Sequence, residues 1–415
     1  MKTVIMAGGK GTRMSSLASD IPKPMIAIGD KPVLQLEIES LKRQGFCDFI
    51  ITISHLGEII RDYFGDGSRF GVNIDYYNEE VPLGNAGALF QIKDRLDDDF
   101  LLINGDVLFD VDVSRMYEYH LKKKGLASIL THPNTHPFDS GLVMADENGR
   151  VVKWLAKEDD RPDYYKNRVN AGIHILSSKI LERKIDKEKI DLDRDILKPL
   201  CATGEMFAYD SPEYVKDMGT PERYAEVCAD YISGKIEKRN LQNKQKAIFL
   251  DRDGTINKYV GFLRDIRDFE LLPHACEAIK QINESEYLAI VVTNQPVIAR
   301  GEVTFDELEM IHNKMETLLG KEGAYLNAIY YCPHHPDSGF EGEVKELKID
   351  CECRKPKPGM LLRAAKDLNI DLGSSYMIGD SDNDMKAGEA AGCKTIKIEK
   401  DGDLYKAVRK VLNKE

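Results

Sequence analysis

Two aspartates stand two residues apart in Phe249-Leu250-Asp251-Arg252-Asp253-Gly254-Thr255, directly after an apolar run. Carboxylates leaving one strand end can divide a reaction: one attacks phosphorus, the other gives a proton to the leaving oxygen. A carboxylate nucleophile facing an anionic phosphate needs Mg²⁺ to screen the repulsion. Asp380, closing Tyr376-Met377-Ile378-Gly379, is the natural further ligand beside Asp251 and Asp253, with Asp384 near it. A lone Asp-x-Asp is more often a polar turn capping a helix. The later run of Thr293-Asn294, Lys355 and Gly379-Asp380-Ser381-Asp382-Asn383-Asp384 argues against that alternative.

A second cluster reads as metal. Cys332-Pro333-His334-His335 and Cys351-Glu352-Cys353 give a Cys-x-His pair and a Cys-x-Cys pair. Three thiols and one imidazole complete a closed, tetrahedral Zn²⁺ site of the structural kind, made by Cys332, His334, Cys351 and Cys353, with His335 the competing ligand. Such a site would not do chemistry; it would pin the loop carrying Arg354 and Lys355. The alternative is incidental buried cysteines beside an exposed histidine. At the other end, Gly8-Gly9-Lys10-Gly11-Thr12-Arg13 fits neither the Walker A loop nor the dinucleotide fingerprint. Its glycines, Gly8, Gly9 and Gly11, still let backbone N–H groups approach a polyphosphate, with Thr12 beside them. Arg13 would add a bidentate positive fork. Lys23 lies between Pro22 and Pro24, a rigid setting for an ammonium.

The elements that must position these residues are strands alternating with helices. Short β-branched runs occur at Thr3–Met6, Phe49–Ile53, Phe100–Ile103, Ala247–Leu250, Leu288–Val292, Ala328–Tyr331 and Ser375–Ile378. Amphipathic helical patterns lie between them, as at Val33–Gln44, Pro273–Asn283 and Phe305–Leu319. The alternation predicts α/β architecture with parallel sheets, in which ligands bind beyond the carboxyl ends of the strands. Ala7-Gly8-Gly9, Asn104-Gly105-Asp106, Asp251–Gly254, Thr293–Gln295 and Gly379-Asp380 fall at such ends. The pattern divides into a segment 1–232, a polar stretch 233–245 composed as a solvated linker or charged helix, and a segment 246–415.

The 415 residues are 31% charged and 42% hydrophobic, with a net charge of −12. An acidic balance argues against broad nucleic-acid binding, which needs a basic face, but not against small phosphorylated ligands held by a few placed cations. No run of about 18 apolar residues predicts a membrane span, and the start does not read as a signal peptide. Eight cysteines are too few for a disulfide scaffold. A cytoplasmic enzyme is expected.

The ordered motifs Gly-Gly-Lys-Gly-Thr-Arg, Pro22-Lys23-Pro24-Met25, Pro82-Leu83-Gly84-Asn85-Ala86-Gly87, Gly105-Asp106, Val169-Asn170-Ala171-Gly172 and Asp217-Met218-Gly219 resemble the sugar-phosphate nucleotidyltransferases. The resemblance covers residues 1 to about 232 and implies a Rossmann-like fold with a mixed sheet. The reaction it implies is attack of a sugar 1-phosphate on the α-phosphorus of a nucleoside triphosphate, with release of pyrophosphate. By resemblance, Arg13 stabilises the pyrophosphate and Lys23 the reacting phosphates, while Asp106 and Asp217 bind Mg²⁺. Gly84, Asn85 and Gly87 border the base and sugar, and Lys157, Asn170 and Gly172 the sugar. Ala156 stands where Glu is usual before Lys157, and Asn85 replaces a common Thr.

The second half resembles the haloacid dehalogenase superfamily, and within it the D-glycero-D-manno-heptose 1,7-bisphosphate 7-phosphatases, with the histidinol-phosphate phosphatases as near relatives. The resemblance implies a three-layer α/β sandwich with Asp251 as nucleophile and Asp253 as general acid/base. Thr293, Asn294 and Lys355 would hold the transferring phosphoryl group. Asp380 would complete the Mg²⁺ site. Arg300 and Arg354 are candidates for a second, non-reacting phosphate. Pro296-Val297 and Ser381 depart from the family pattern. Together the resemblances imply that one half makes a heptose 1-phosphate and the other couples it to a nucleotide. GTP, giving GDP-D-glycero-α-D-manno-heptose, is the leading expectation. The rivals are a mannose-1-phosphate guanylyltransferase fused to a phosphatase of another small ester, and one active enzyme joined to a regulatory module.

Overall fold

The computed structural model describes residues 1–8, 20–183, 185–339 and 341–413. They form two compact units: Met1–His132, Gly141–Ala156 and Asn170–Asn240 make the first, and Pro133–Ser140, Lys157–Val169 and Leu241–Glu415 the second.

Apart from a two-residue hairpin of Ala27–Ile28 and Lys31–Pro32, the strands of the first unit are, in chain order, β1 (Thr3–Met6), β2 (Asp48–Ile53), β3 (Asn73–Asn78), β4 (Asp99–Asn104), β5 (Val107–Asp110), β6 (Ala127–His132), β7 (Leu142–Ala145), β8 (Val151–Leu155), β9 (Val169–Ser177), β10 (Met206–Asp210) and β11 (Tyr214–Asp217). Central parallel strands are covered on both faces and so read as continuous apolar runs. β1 is such a strand, pairing in parallel with β2 and β4. β3 extends this side of the sheet beyond β2. Beyond β4 the sheet turns mixed, since β9 runs antiparallel to it, with Ile173 opposite Ile103. Successive residues of β1 face opposite ways. Ile5 packs with Leu34, Ile38 and Leu41 of helix α1 (Val33–Arg43), whereas Val4 joins Leu89, Leu102 and Leu197. β5 and β11 form a separate ribbon in which Asp217 is the partner of Val107, the neighbour of Asp106.

The stretch after residue 232 is folded. Helix α2 (Lys235–Lys238) buries Ile236 among Val33, Leu108, Tyr214 and Val227. Asn240 donates to the buried Asp110 Oδ1 at 2.7 Å.

The second unit has a five-stranded, all-parallel sheet of β12 (Lys246–Leu250), β13 (Tyr287–Asn294), β14 (Ala328–Cys332), β15 (Tyr376–Gly379) and β16 (Lys394–Lys397), in the order β14-β13-β12-β15-β16. The order reverses between β12 and β15, the place where open α/β sheets leave a crevice for ligands. Ile248 and Leu250 pack with Ile279, Ile282 and Met315 on one face, and Phe249 and Met377 with Leu361 on the other. Helix α3 (Phe305–Lys321) starts at a Thr304–Glu307 capping box, and helix α4 (Asp382–Ala391) at a Ser381–Asp384 one, each satisfying two otherwise orphaned backbone donors. The segment Lys157–Val169 is seated on α3. Arg168 pairs with Glu316 at 3.2 Å, both side chains almost fully buried. The backbone N–H groups of Asn167 and Tyr165 donate to Glu316 (2.8 Å) and Thr317 (2.9 Å).

Candidate active sites

In the second unit Asp251 follows β12, Thr293 and Asn294 end β13, and Asp380 follows β15. They line one cavity of about 420 Å³, together with Asp253, Arg354, Lys355 and Asp384. Lys355 is buried, and its ammonium lies 2.7 Å from Asp251 Oδ1 and 2.5 Å from Asp384 Oδ1. Asn294 fixes it in place, accepting from the Lys355 N–H at 3.0 Å and donating to its carbonyl at 2.9 Å. Burial drives the Asp251 carboxyl up to about 7; Asp384 and Asp253 push the same way against the Lys355 charge. One oxygen each of Asp251, Asp380 and Asp384 lies within 4.8 Å of the others. An all-oxygen donor set of this kind suits a hard divalent cation such as Mg²⁺.

That trio contains Asp384, the lesser candidate from sequence, and leaves out the Asp253 carboxylate. Asp253 is held by Arg252 Nη2, 2.9 Å from both of its oxygens, by Gln295 Nε2 at 2.9 Å and by Asn257 Nδ2 at 3.0 Å. Burial pushes the Asp253 carboxyl up, but the Arg252 guanidinium and the two amides outweigh it, so its acidity is increased. Arg252 has no exposed side-chain surface, and its Nη1 meets His312 Nε2 at 3.2 Å. His312 is kept neutral by burial, its pKa lowered to about 3. Two equivalent aspartates thus acquire different surroundings: one beside an ammonium and two carboxylates, the other in a fork of neutral and cationic donors. Sequence reading missed Arg252, Asn257, Gln295 and His312; Gln295, adjoining Thr293-Asn294, carried the one available signal. Arg300 lies outside the cavity lining: its Nε donates to Glu302 at 2.9 Å, and its guanidinium stacks 4.5 Å from the Phe262 ring centroid.

The Cys/His cluster is assembled. The three sulfurs of Cys332, Cys351 and Cys353 are 3.2–3.5 Å apart, and His334 Nδ1 is 3.3 Å from Cys353 Sγ and 3.7 Å from Cys332 Sγ. His335 is turned away, accepting from the Asp337 N–H at 3.1 Å. Four soft donors around one point are the chemistry of a tetrahedral zinc site. Arg354, next to Cys353, donates to the His334 carbonyl at 3.2 Å, so the cluster and the Arg354-Lys355 turn are one piece.

In the first unit, Gly8, Lys23, Gly84, Asn85 and Asp106 line a second cavity of about 420 Å³ at the carboxyl ends of β1 and β4. Gly9, Gly11, Thr12 and Arg13 lie outside the described residues. Lys23 Nζ is 2.6 Å from Asp106 Oδ2. Asp217, beside Asp106 through the β5–β11 pairing, takes a two-oxygen contact from Arg223 at 2.8 and 2.9 Å. Gly84 has φ +87°, and a Cβ there would lie 2.3 Å from the Ile190 carbonyl, so glycine alone fits this lacing of two loops. Asn85 Oδ1 accepts from the Leu192 N–H at 2.7 Å, and Gly87 opens a short helix. Asn170 Oδ1 accepts from the Gly172 N–H at 3.2 Å and faces His174 Nε2 at 3.0 Å. Lys157 begins the segment seated in the second unit. Glu79 also lines the cavity, and sequence reading missed it. Its Oε1 is buried with no hydrogen-bond partner among the described residues, and burial raises its pKa.

Residues 2–234 match the nucleotidyl transferase family, and residues 352–406 a HAD-hydrolase-like family. A D-glycero-β-D-manno-heptose-1,7-bisphosphate 7-phosphatase of Pasteurella multocida is 45% identical over 158 residues, 38% of this chain and 83% of that protein. The chain belongs to two enzyme families, the nucleotidyl transferases and the HAD phosphatases. A mannose-1-phosphate guanylyltransferase of Mycobacterium tuberculosis is 30% identical over 234 residues, 56% of this chain and 64% of that protein. The crystal structure of HddC from Yersinia pseudotuberculosis matches with 29% identity and a TM-score of 0.49, covering 55% of this chain and 99% of that one. The protein is a bifunctional nucleotidyltransferase and phosphomonoesterase acting on small molecules. HAD phosphatases and nucleotidyl transferases generally use Mg²⁺. No helix among the described residues is long and apolar enough to cross a membrane.

Proposed function

We propose that the phosphatase half removes the 7-phosphate of D-glycero-D-manno-heptose 1,7-bisphosphate, and that the nucleotidyltransferase half couples the resulting heptose 1-phosphate to GTP, releasing pyrophosphate and GDP-heptose. The observation that carries this is the union, in one chain, of a phosphatase 45% identical to a heptose bisphosphate 7-phosphatase and a transferase whose family consumes sugar 1-phosphates. The product of the first reaction is the substrate of the second. In this reading the chain works in the cytoplasm as catalytic segments 1–232 and 246–415 about the connecting residues 233–245.

Asp251 is the nucleophile and Asp253 donates the proton to the departing sugar oxygen. Lys355, Thr293 and Asn294 hold the phosphoryl group. Asp251, Asp380 and Asp384 would hold Mg²⁺, which would supply neutralisation of phosphate charge; Cys332, His334, Cys351 and Cys353 would hold a structural Zn²⁺. In the transferase, Asp106 and Asp217 hold Mg²⁺ while Lys23 and Arg13 neutralise the phosphates, and Asn170 and Gly172 border the sugar. Glu79 supports guanine. A carboxylate only accepts hydrogen bonds, and among the common bases guanine alone presents two adjacent donors, N1–H and N2–H. The identity to a mannose-1-phosphate guanylyltransferase favours, as a second reading, mannose 1-phosphate as the sugar.

The test supplies heptose 1,7-bisphosphate of either anomer, Mg²⁺ and equal GTP, ATP, CTP and UTP, and follows phosphate, pyrophosphate and nucleotide sugar. GDP-heptose is expected, and Asp251→Asn abolishes phosphate release while pyrophosphate release from heptose 1-phosphate continues. Phosphate release from other esters but not from the heptose overturns the reading; coupling of mannose 1-phosphate alone favours the second. Glu79→Gln is expected to cut the preference for GTP over ATP at least about tenfold.

A further inference from the structure

Three cations line the phosphatase cavity: Arg354, Lys355 and Lys400. Two of them have fixed partners. Lys355 holds Asp251 and Asp384, and Arg354 holds the His334 carbonyl. Lys400 has neither an ion pair nor a hydrogen bond among the described residues; its ammonium rests 3.6 Å from the centroid of the Tyr259 ring. An ammonium over an aromatic face keeps N–H donors free for an incoming anion.

Its position is built. The Asp401 N–H donates to the Gly254 carbonyl at 2.9 Å, and the Tyr259 N–H donates to Asp401 Oδ1 at 2.6 Å. Lys400 therefore sits on a turn tied to the loop that leaves the catalytic aspartates. A phosphatase that gripped only the reacting phosphoryl group would have its cation in Lys355 and no use for another at the rim.

We propose that Lys400 is a specificity-determining residue, binding the second, untransferred phosphate of a sugar bisphosphate. The proposal rests on the bisphosphate reading given above. The point charge of lysine suits a phosphate that must be released with the product rather than clamped in a fork.

Full-length enzyme with Mg²⁺ is assayed on heptose 1,7-bisphosphate and on p-nitrophenyl phosphate, which has no second phosphate. In Lys400→Met the ratio of kcat/KM values, bisphosphate over p-nitrophenyl phosphate, is expected to fall roughly 10- to 100-fold through KM, the range of a lost charged hydrogen bond. Lys400→Arg recovers most of it. An unchanged ratio, or a loss in kcat common to both substrates, overturns the proposal. Wild-type enzyme that hydrolyses p-nitrophenyl phosphate but not the heptose overturns the substrate reading instead. Lys400 is then judged on inhibition of p-nitrophenyl phosphate hydrolysis. Fructose 1,6-bisphosphate should inhibit more tightly than fructose 6-phosphate in wild type but not in Lys400→Met; equal inhibition in wild type overturns the proposal.

Discussion

Glu37 lies on α1 with no exposed surface, and neither of its carboxylate oxygens has a hydrogen-bond partner among the described residues. Burial, reinforced by the Asp106 charge, lifts its pKa well above the usual 4.5. The folded chain keeps a proton that the unfolded chain has lost, so stability falls as pH rises above about 4.5 toward the folded pKa. Glu37→Gln keeps the shape without the titration. Its melting temperature is expected to exceed that of wild type by at least about 2 °C at pH 8, with the gap closing as pH is lowered toward 5; thermal scans across pH check this, and a constant gap would contradict it. Arg252 offers a test of chemistry rather than stability. If its fork positions Asp253 for proton donation, Arg252→Lys should lower kcat about 100-fold on an alkyl phosphate, whose leaving oxygen needs the proton, and far less on p-nitrophenyl phosphate. Equal losses would make Arg252 merely structural. Asp251, Lys355 and Asp380 were legible because their types and order are unusual in a chain. Arg252 was not, since an arginine beside an aspartate is ordinary until its burial is seen.

At the scale of elements, the parallel strands were the easiest to read. Val4–Met6 and Ala247–Leu250 are apolar throughout because both faces are covered, and flanking helices give them a 3.6-residue contrast. β3, β5 to β11 and β16 were not anticipated. Val151–Leu155, with Lys153 at its centre, alternates burial irregularly across a bulge against β7, so its pairing is fixed by a distant partner and not by local pattern. The polar stretch 233–245 reads as solvated, yet one apolar side chain, Ile236, is enough to dock α2. The Cys/His cluster joins β14 to the Arg354-Lys355 turn. Metal analysis of purified protein is expected to find one zinc per chain, and Cys351→Ser to lose it. Strong chelation should then lower phosphatase activity by misplacing Lys355, because the binding free energy of such a site is folding free energy. Full activity in protein free of zinc would refute a structural ion.

For the whole molecule, the buried pair Arg168–Glu316 ties the segment Lys157–Val169 to α3 within the second unit. Removing one partner of a buried ion pair strands a charge, at a cost of about 3–5 kcal/mol. Arg168→Met should therefore destabilise the phosphatase by that amount in urea unfolding followed by phosphate release, and Arg168→Met with Glu316→Leu should recover part of the loss. No recovery in the double variant would show that Arg168 acts through packing alone. The two-enzyme organisation was legible from motif order. The seating of Lys157–Val169 was not, because an Arg and a Glu about 150 residues apart carry no mutual signal.

The chain leaves that seat at Val169 and continues as β9, whose next residue is Asn170. The segments of the two units therefore alternate along the chain. A cut at residues 233–245 would part the segment Lys157–Val169 from the helix α3 on which it is seated. A domain exchange that keeps the buried Arg168–Glu316 pair would carry residues 133–140 and 157–169 together with 241–415.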